Sequence, residues 1–243
     1  MIKKITGSLF IALTIVNTAM PAASSFSDDW KEQKNNALLA AIKKGVAVTS
    51  IRKLLADGAN PGVKDDLGQT PLHHAASMGR RAYVEELLTH DISTETKDPA
   101  GWTALHFAAN NGKLVCLEVL IANGAKIDTQ AENGETPLHQ AAWMGHPSCL
   151  NALLQAGATI EAKDRLGKTA LHKAAFNNHF TCVQALIVAG ASVNALDNND
   201  NTPLHFAILR GNHECAQALL RANADTDIIN KKGKTPAMMT PQE

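Results

Sequence analysis

A short word, threonine followed three residues later by histidine, returns every 33 residues through most of this chain and constrains the fold more than any other feature. The copies read Thr70-Pro71-Leu72-His73, Thr103-Ala104-Leu105-His106, Thr136-Pro137-Leu138-His139, Thr169-Ala170-Leu171-His172 and Thr202-Pro203-Leu204-His205. A sixth opens at Thr235-Pro236. A fixed period of this length means one supersecondary unit stacked along a solenoid, each unit burying its apolar face against the next. Length therefore does not set the domain count. Aromatic residues are only 4% of the 243, which suits a core of Ala and Leu, and 23 basic residues balance 23 acidic ones. A nucleic-acid binder normally carries a basic excess, so that class is disfavoured.

The punctuation inside each period has physical reasons. Threonine caps a helix with its hydroxyl, and the Pro or Ala after it suits a first helical position that needs no N–H partner. Leu72, Leu105, Leu138, Leu171 and Leu204, with the Ala pairs 75–76, 108–109, 141–142 and 174–175, put small apolar groups on one face of this first helix. The fifth copy has Ala207-Ile208. Gly79, Gly112, Gly145 and Gly211 end the helix, and Asn178 takes that place once. A second apolar set, such as Leu117, Leu120 and Ile121, has helical spacing and predicts helix two. It stops at Gly124, Gly157 and Gly190, with Asp91 and Asn223 as departures. The polar remainder carries Gly two residues before the next Thr, at 68, 101, 134 and 167, and predicts a tight turn between short extended pieces.

The N-terminus is unlike the rest. Lys3 and Lys4 precede an apolar stretch from Ile5 to Met20 and then the small residues Ala22-Ala23-Ser24-Ser25. This layout predicts a secretory signal over 1–24, cleaved after Ser24. The stretch is short for a bilayer span, which needs about 20 apolar residues, and polar side chains interrupt it, so no stable membrane insertion is expected after its removal.

A 33-residue unit of turn, helix, turn and helix, with Thr-Pro-Leu-His opening helix one, resembles the ankyrin repeat, and the resemblance covers about 34–243. It implies an all-α solenoid whose helix pairs are joined by short β-hairpin-like turns. The boundaries expected are a linker or first helical turn at 25–33, a degenerate capping repeat at 34–66, and full repeats at 67–99, 100–132, 133–165, 166–198 and 199–231. A truncated half-repeat fills 232–243. In the cap, Leu38, Leu39, Ile42, Ile51, Leu54 and Leu55 are core candidates; Lys43, Lys44, Arg52 and Lys53 suit its polar outer side, and Trp30 is expected to pack on it. At the other end Met238 and Met239 form a minimal lid or leave an open interface.

Ten histidines and four cysteines invite a metal-site reading, which the spacing rules out. Equivalent positions on stacked helices lie about 8–10 Å apart, whereas zinc needs its ligand nitrogens about 2 Å from one ion. The five histidines of the word are therefore structural, resembling those of the ankyrin word, which tie the helix start to the adjoining turn. His90, His146, His179 and His213 fall near loops and are expected at the surface. Cys116, Cys149, Cys182 and Cys215 share one apolar position in helix two, too far apart for disulfides that need Cα atoms within about 7 Å, and are expected as buried free thiols. No nucleophile elbow, phosphate-cradling loop or zincin word is present. Asp65, Asp66, Asp98, Glu132, Asp164, Asp197 and Asp200 fall at turns and read as solvated turn residues. No catalytic residue, cofactor or metal is expected.

Family resemblance implies that fingertip residues just before the Thr, and the last exposed residues of helix one, line a concave face that holds other proteins. Here those positions include Trp102, Lys168, Trp143, Met144, Phe176, Leu209 and Arg210, with Arg165 beside them. The competing reading is that these side chains merely cover the neighbouring repeat; it stays open for Phe176 and Leu209, whereas partner contact is the favoured reading for Trp102 and Trp143. The expectation is a non-enzymatic module, monomeric alone, periplasmic or secreted, binding a partner protein on repeats three to six. The alternative is a regulatory or inhibitory subunit of an exported enzyme.

Overall fold

The computed structural model describes residues 23–239, with side chains from Asp29 onward; the expected signal segment falls almost wholly outside the described residues. Twelve α-helices lie within this range: α1 (Ala23–Lys44), α2 (Val48–Ala56), α3 (Pro71–Met78), α4 (Arg81–Leu88), α5 (Ala104–Asn110), α6 (Leu114–Ala122), α7 (Pro137–Met144), α8 (Pro147–Gln155), α9 (Ala170–Phe176), α10 (Phe180–Val188), α11 (Pro203–Leu209) and α12 (His213–Arg221). The first helices α3, α5, α7, α9 and α11 pack side by side in one layer, and α2, α4, α6, α8, α10 and α12 in a second. Among the described residues there is no strand.

Repetition in sequence becomes repetition in the core. Leu72, Leu105, Leu138, Leu171 and Leu204 are buried between first helices, while Leu87, Leu120, Leu153, Leu186 and Leu219 are buried between second helices. Full burial of such a side chain stabilises by roughly 1.5–3 kcal/mol. The four cysteines are free and buried, and burial pushes the thiols of Cys149, Cys182 and Cys215 up to about 11, so they stay protonated and serve as small hydrophobes.

The histidines fasten each repeat to the next. The Thr backbone N–H donates to the Nδ1 of the histidine three residues on, at 2.9 Å for Thr70 and 3.1 Å for Thr136, Thr169 and Thr202. Because that N–H can only donate, Nδ1 carries no proton and the hydrogen is on Nε2. Nε2–H then donates across the repeat boundary: His73 to the Trp102 carbonyl (3.1 Å), His106 to Glu135 (3.2 Å), His139 to Lys168 (3.0 Å) and His172 to Asn201 (3.1 Å). Each imidazole thus holds the fingertip of the following repeat at the residue just before its Thr.

Four expectations need correction. Residues 25–33 lie within α1, not in a linker; the segment has neither Gly nor Pro to stop the helix. Trp30 is 53% exposed and stacks with the Lys34 ammonium, 3.3 Å from the ring centroid, and does not pack into the cap. His146 and His179 are half-buried ties: their Nε2–H groups donate to the carbonyls of Asn110 (3.0 Å) and Trp143 (2.9 Å). His179 comes so close that a Cβ on Gly145 would collide with its Nδ1, and with φ of +73° this favours glycine there. Finally, the C-terminal lid is a 3₁₀ turn, Pro236–Met238, that buries Pro236 and leaves Met238 exposed.

Where helix two ends, the glycines answer to conformation alone. A Cβ at Gly124, Gly157 or Gly190 would touch nothing within 4 Å, yet φ is +81°, +92° and +90°. Asp91 and Asn223 hold the same turn at +51° and +62° with a side chain. Replacing both with glycine is expected to raise the free energy of unfolding in urea, and with it the midpoint, by about 0.5 kcal/mol per site once the added freedom of the unfolded chain is discounted. A lower midpoint for the double variant would show that these side chains contribute more than their backbone strain costs.

Candidate partner-binding site

Three positions per repeat lie on the face built by fingertips and first helices: the residue before the Thr, the residue four after it, and the residue seven after it. Across the central repeats they read Trp102, Phe107 and Asn110; then Glu135, Gln140 and Trp143; then Lys168, Lys173 and Phe176; then Asn201, Phe206 and Leu209. The fingertips are braced from within. Asp98 and Asp164 each accept backbone N–H groups through Oδ1, from Trp102 at 2.8 Å and from Lys168 at 2.9 Å, so these are tied carboxylates, and Asp164 is buried, contrary to a solvated-turn reading. Neighbouring fingertips are joined by backbone bonds from Glu132 to Ala100 and from Arg165 to Asn133, both 2.9 Å.

The middle of this face holds a buried ion cluster. Lys173, on α9, reaches back to donate to Glu135 and to Asp164, the latter at 2.7 Å. Glu135 also accepts from Asn133 (2.8 Å) and Gln140. Burial disfavours all three charges, but the contacts outweigh it: Glu135 and Asp164 are held below the usual carboxylate range and Lys173 above that of a lysine. One ammonium against two carboxylates leaves the cluster with a surplus negative charge.

An aromatic platform covers it. The Lys173 ammonium lies 5.4 Å from the centroid of the Trp143 ring, which stacks nearly parallel on Phe176 at 5.8 Å and 14°, and Phe176 meets Phe206 edge-on at 5.8 Å. Trp102 sits on the other side, stacked on His106 at 6.1 Å and edge-on to Phe107 at 5.1 Å. Between the tryptophans opens a cleft of about 350 Å³, lined by Trp102, Asn110, Glu135, Gln140, Trp143 and Lys173. Lys168 and Arg210 complete the face: the Lys168 ammonium is 4.7 Å from the Phe206 centroid and the Arg210 guanidinium 4.8 Å from that of Phe176.

The structure brings most of the sequence-predicted residues together but does not expose them equally. Trp143 and Met144 are exposed, at 37% and 44%, whereas Trp102, Phe176 and Leu209 are half-buried by neighbouring repeats. Arg165 is exposed and pairs with Glu132 at 3.5 Å, outside the platform. The position four after the Thr was missed: Lys173 and Gln140 enter the cluster from it, and Phe107 and Phe206 are two of the five Trp and Phe rings of this face. Its signal was the variability of that position directly behind an invariant histidine. A larger depression, about 880 Å³, lies between α8, α10 and α12 against Leu154, Phe180, Ile187 and Val188. Its lining is largely apolar and offers little to orient a ligand, so it is the weaker candidate despite its size.

A family model described as ankyrin repeats matches in three copies, over residues 11–98, 90–164 and 157–232. Among solved structures, the human ASB11 ankyrin repeat domain superposes with a TM-score of 0.77 at 28% identity, covering 85% of this chain and 92% of that one. The ankyrin repeat domain of Bcl-3, a member of the IkappaB protein family, superposes with a TM-score of 0.74 at 30% identity, covering 84% and 93%. No curated protein sequence matches.

Proposed function

This chain belongs to the ankyrin-repeat family, whose repeats are generally protein–protein interaction modules, and from that premise we propose that it binds a partner protein on the concave face of repeats three to six. The observation that carries the reading is the exposed Trp143 stacked on the half-buried Phe176, backed by the buried Phe206, with the Trp102 cleft beside it. Large apolar side chains ringed by polar groups are what an interaction surface presents, and tryptophan and arginine are common anchors of binding energy. The residues are also preorganised. The carbonyl of Trp143 is held by His179 (2.9 Å) and Asn177 (3.0 Å), and that of Phe176 by Asn212 (2.9 Å), so little ordering entropy is lost when a partner docks.

Export through the N-terminal segment, to the periplasm or the medium, is part of the proposal and rests on its charge and hydropathy pattern. Intact Met1 in the exported protein, read by mass spectrometry, would remove it. For binding, affinity capture with the wild-type chain beside Trp102→Ala/Trp143→Ala is the test. The variant is expected to lose its partner by a factor of about 100, as removal of two anchors of roughly 1.4 kcal/mol each implies; retention at equal strength would place the surface elsewhere.

A further inference from the structure

The charged groups of this face fall into two kinds. Lys173 is neutralised by Glu135 and Asp164 beneath Trp143, and Arg165 pairs with Glu132. Among the described residues, Lys168 and Arg210 have no carboxylate partner; both are held against the Phe176 ring, at 5.8 and 4.8 Å from its centroid. A cation–π contact is worth only about 0.5–1 kcal/mol at an exposed site, so these charges remain open to a carboxylate that arrives from outside. The face is thus graded: a cleft between two tryptophans above a surplus of negative charge at one end, two unpaired cations over phenylalanine at the other.

Resting on the concave-face reading, we propose that this face receives an extended acidic segment of the partner, with a neutral apolar or aromatic side chain in the Trp102–Trp143 cleft and one or two carboxylates on Lys168 and Arg210. Repeats stacked about 8–10 Å apart put the cleft and the cation pair roughly 10–20 Å from each other. At about 3.3 Å per residue, that is three to six residues of extended chain. The excess carboxylate below the cleft keeps an acidic side chain out of it, and the Lys173 ammonium already seated against Trp143 keeps a basic one out, which leaves a neutral anchor. The same carboxylates exclude single-stranded nucleic acid, whose stacked bases would suit the rings but whose phosphates would meet that charge.

A random 12-residue peptide display library, panned against the full chain and against Lys168→Glu/Arg210→Glu with matching circular dichroism, tests this. The wild type is expected to select Asp or Glu three to six residues from an aromatic or aliphatic anchor. A synthetic peptide of that consensus should bind the variant about tenfold more weakly or worse, and its Glu→Lys counterpart should bind the variant better than the wild type. Selection without acidic enrichment, an unchanged consensus on the variant, no selected peptide, or tighter binding of an oligothymidine would overturn the inference. Peptides that lose affinity with Trp102→Ala/Trp143→Ala but show no charge preference defeat the acidic segment and leave the concave face standing. Peptides indifferent to both variants defeat both.

Discussion

Replacing Lys173 with methionine is expected to lower the free energy of unfolding by about 3 kcal/mol. The ammonium is the counter-charge for two carboxylates, Glu135 and Asp164, whose side chains are 14% and 3% exposed. Deleting it strands both, and removing one partner of a buried pair typically costs about 3–5 kcal/mol. The lower figure applies because Asn133 and Gln140 still donate to Glu135, and the backbone N–H groups of Leu166 and Lys168 to Asp164. Glu135→Gln and Asp164→Asn added to Lys173→Met should recover most of the loss, since the remaining groups are neutral and still hydrogen-bonded. Urea unfolding followed by circular dichroism measures both; a loss under about 1 kcal/mol for the single variant would mean that water already screens the cluster.

Acid should unfold the array well before its carboxylates alone would require. Burial lowers the basicity of all five histidines of the word, taking His106 and His172 down to about 4, with His73, His139 and His205 shifted the same way. The geometry gives a second reason: Nδ1 faces a backbone N–H that can only donate, so a proton placed there meets another proton. Between the unfolded value of 6.5 and the folded value of about 4, the unfolded chain binds protons that the folded chain refuses. Stability is therefore fully present above pH 6.5 and falls as pH drops towards 4. At 1.36 kcal/mol per pH unit, His106 and His172 would each forfeit on the order of 3 kcal/mol across that window. Because each imidazole holds the fingertip of the next repeat, partner binding should weaken over the same range. Helical signal unchanged down to pH 4, or ring protons titrating near 6.5 in the folded protein, would contradict this.

Those histidines show why so much of the fold was legible in the sequence. Their roles depend on neighbours three residues away and on one contact 29 residues away that recurs in every copy, so periodicity alone exposes them. The cysteines were legible for the same reason. The ion cluster was not. Lys173 finds Glu135 38 residues earlier, in a pairing that occurs in no other repeat, and a lysine behind the histidine reads as a solvated charge until both fingertips are in place. Trp102 fails in the opposite direction: its position predicts exposure, and its partial burial depends on Phe107, a residue particular to that repeat. In both cases the unread part is what differs between copies, and those differing residues form the candidate surface.

On this reading repeated residues build the scaffold and the varied ones on the fingertip and first-helix face bind. Hydrogen exchange of the full chain with and without its captured partner tests it most directly. New protection is expected in the fingertips and first helices of the central repeats, at 102–110, 135–144, 168–176 and 201–210, with the second helices unchanged. Protection confined to α8, α10 and α12 around Leu154, Phe180 and Val188 would contradict it and move the binding surface to the opposite layer.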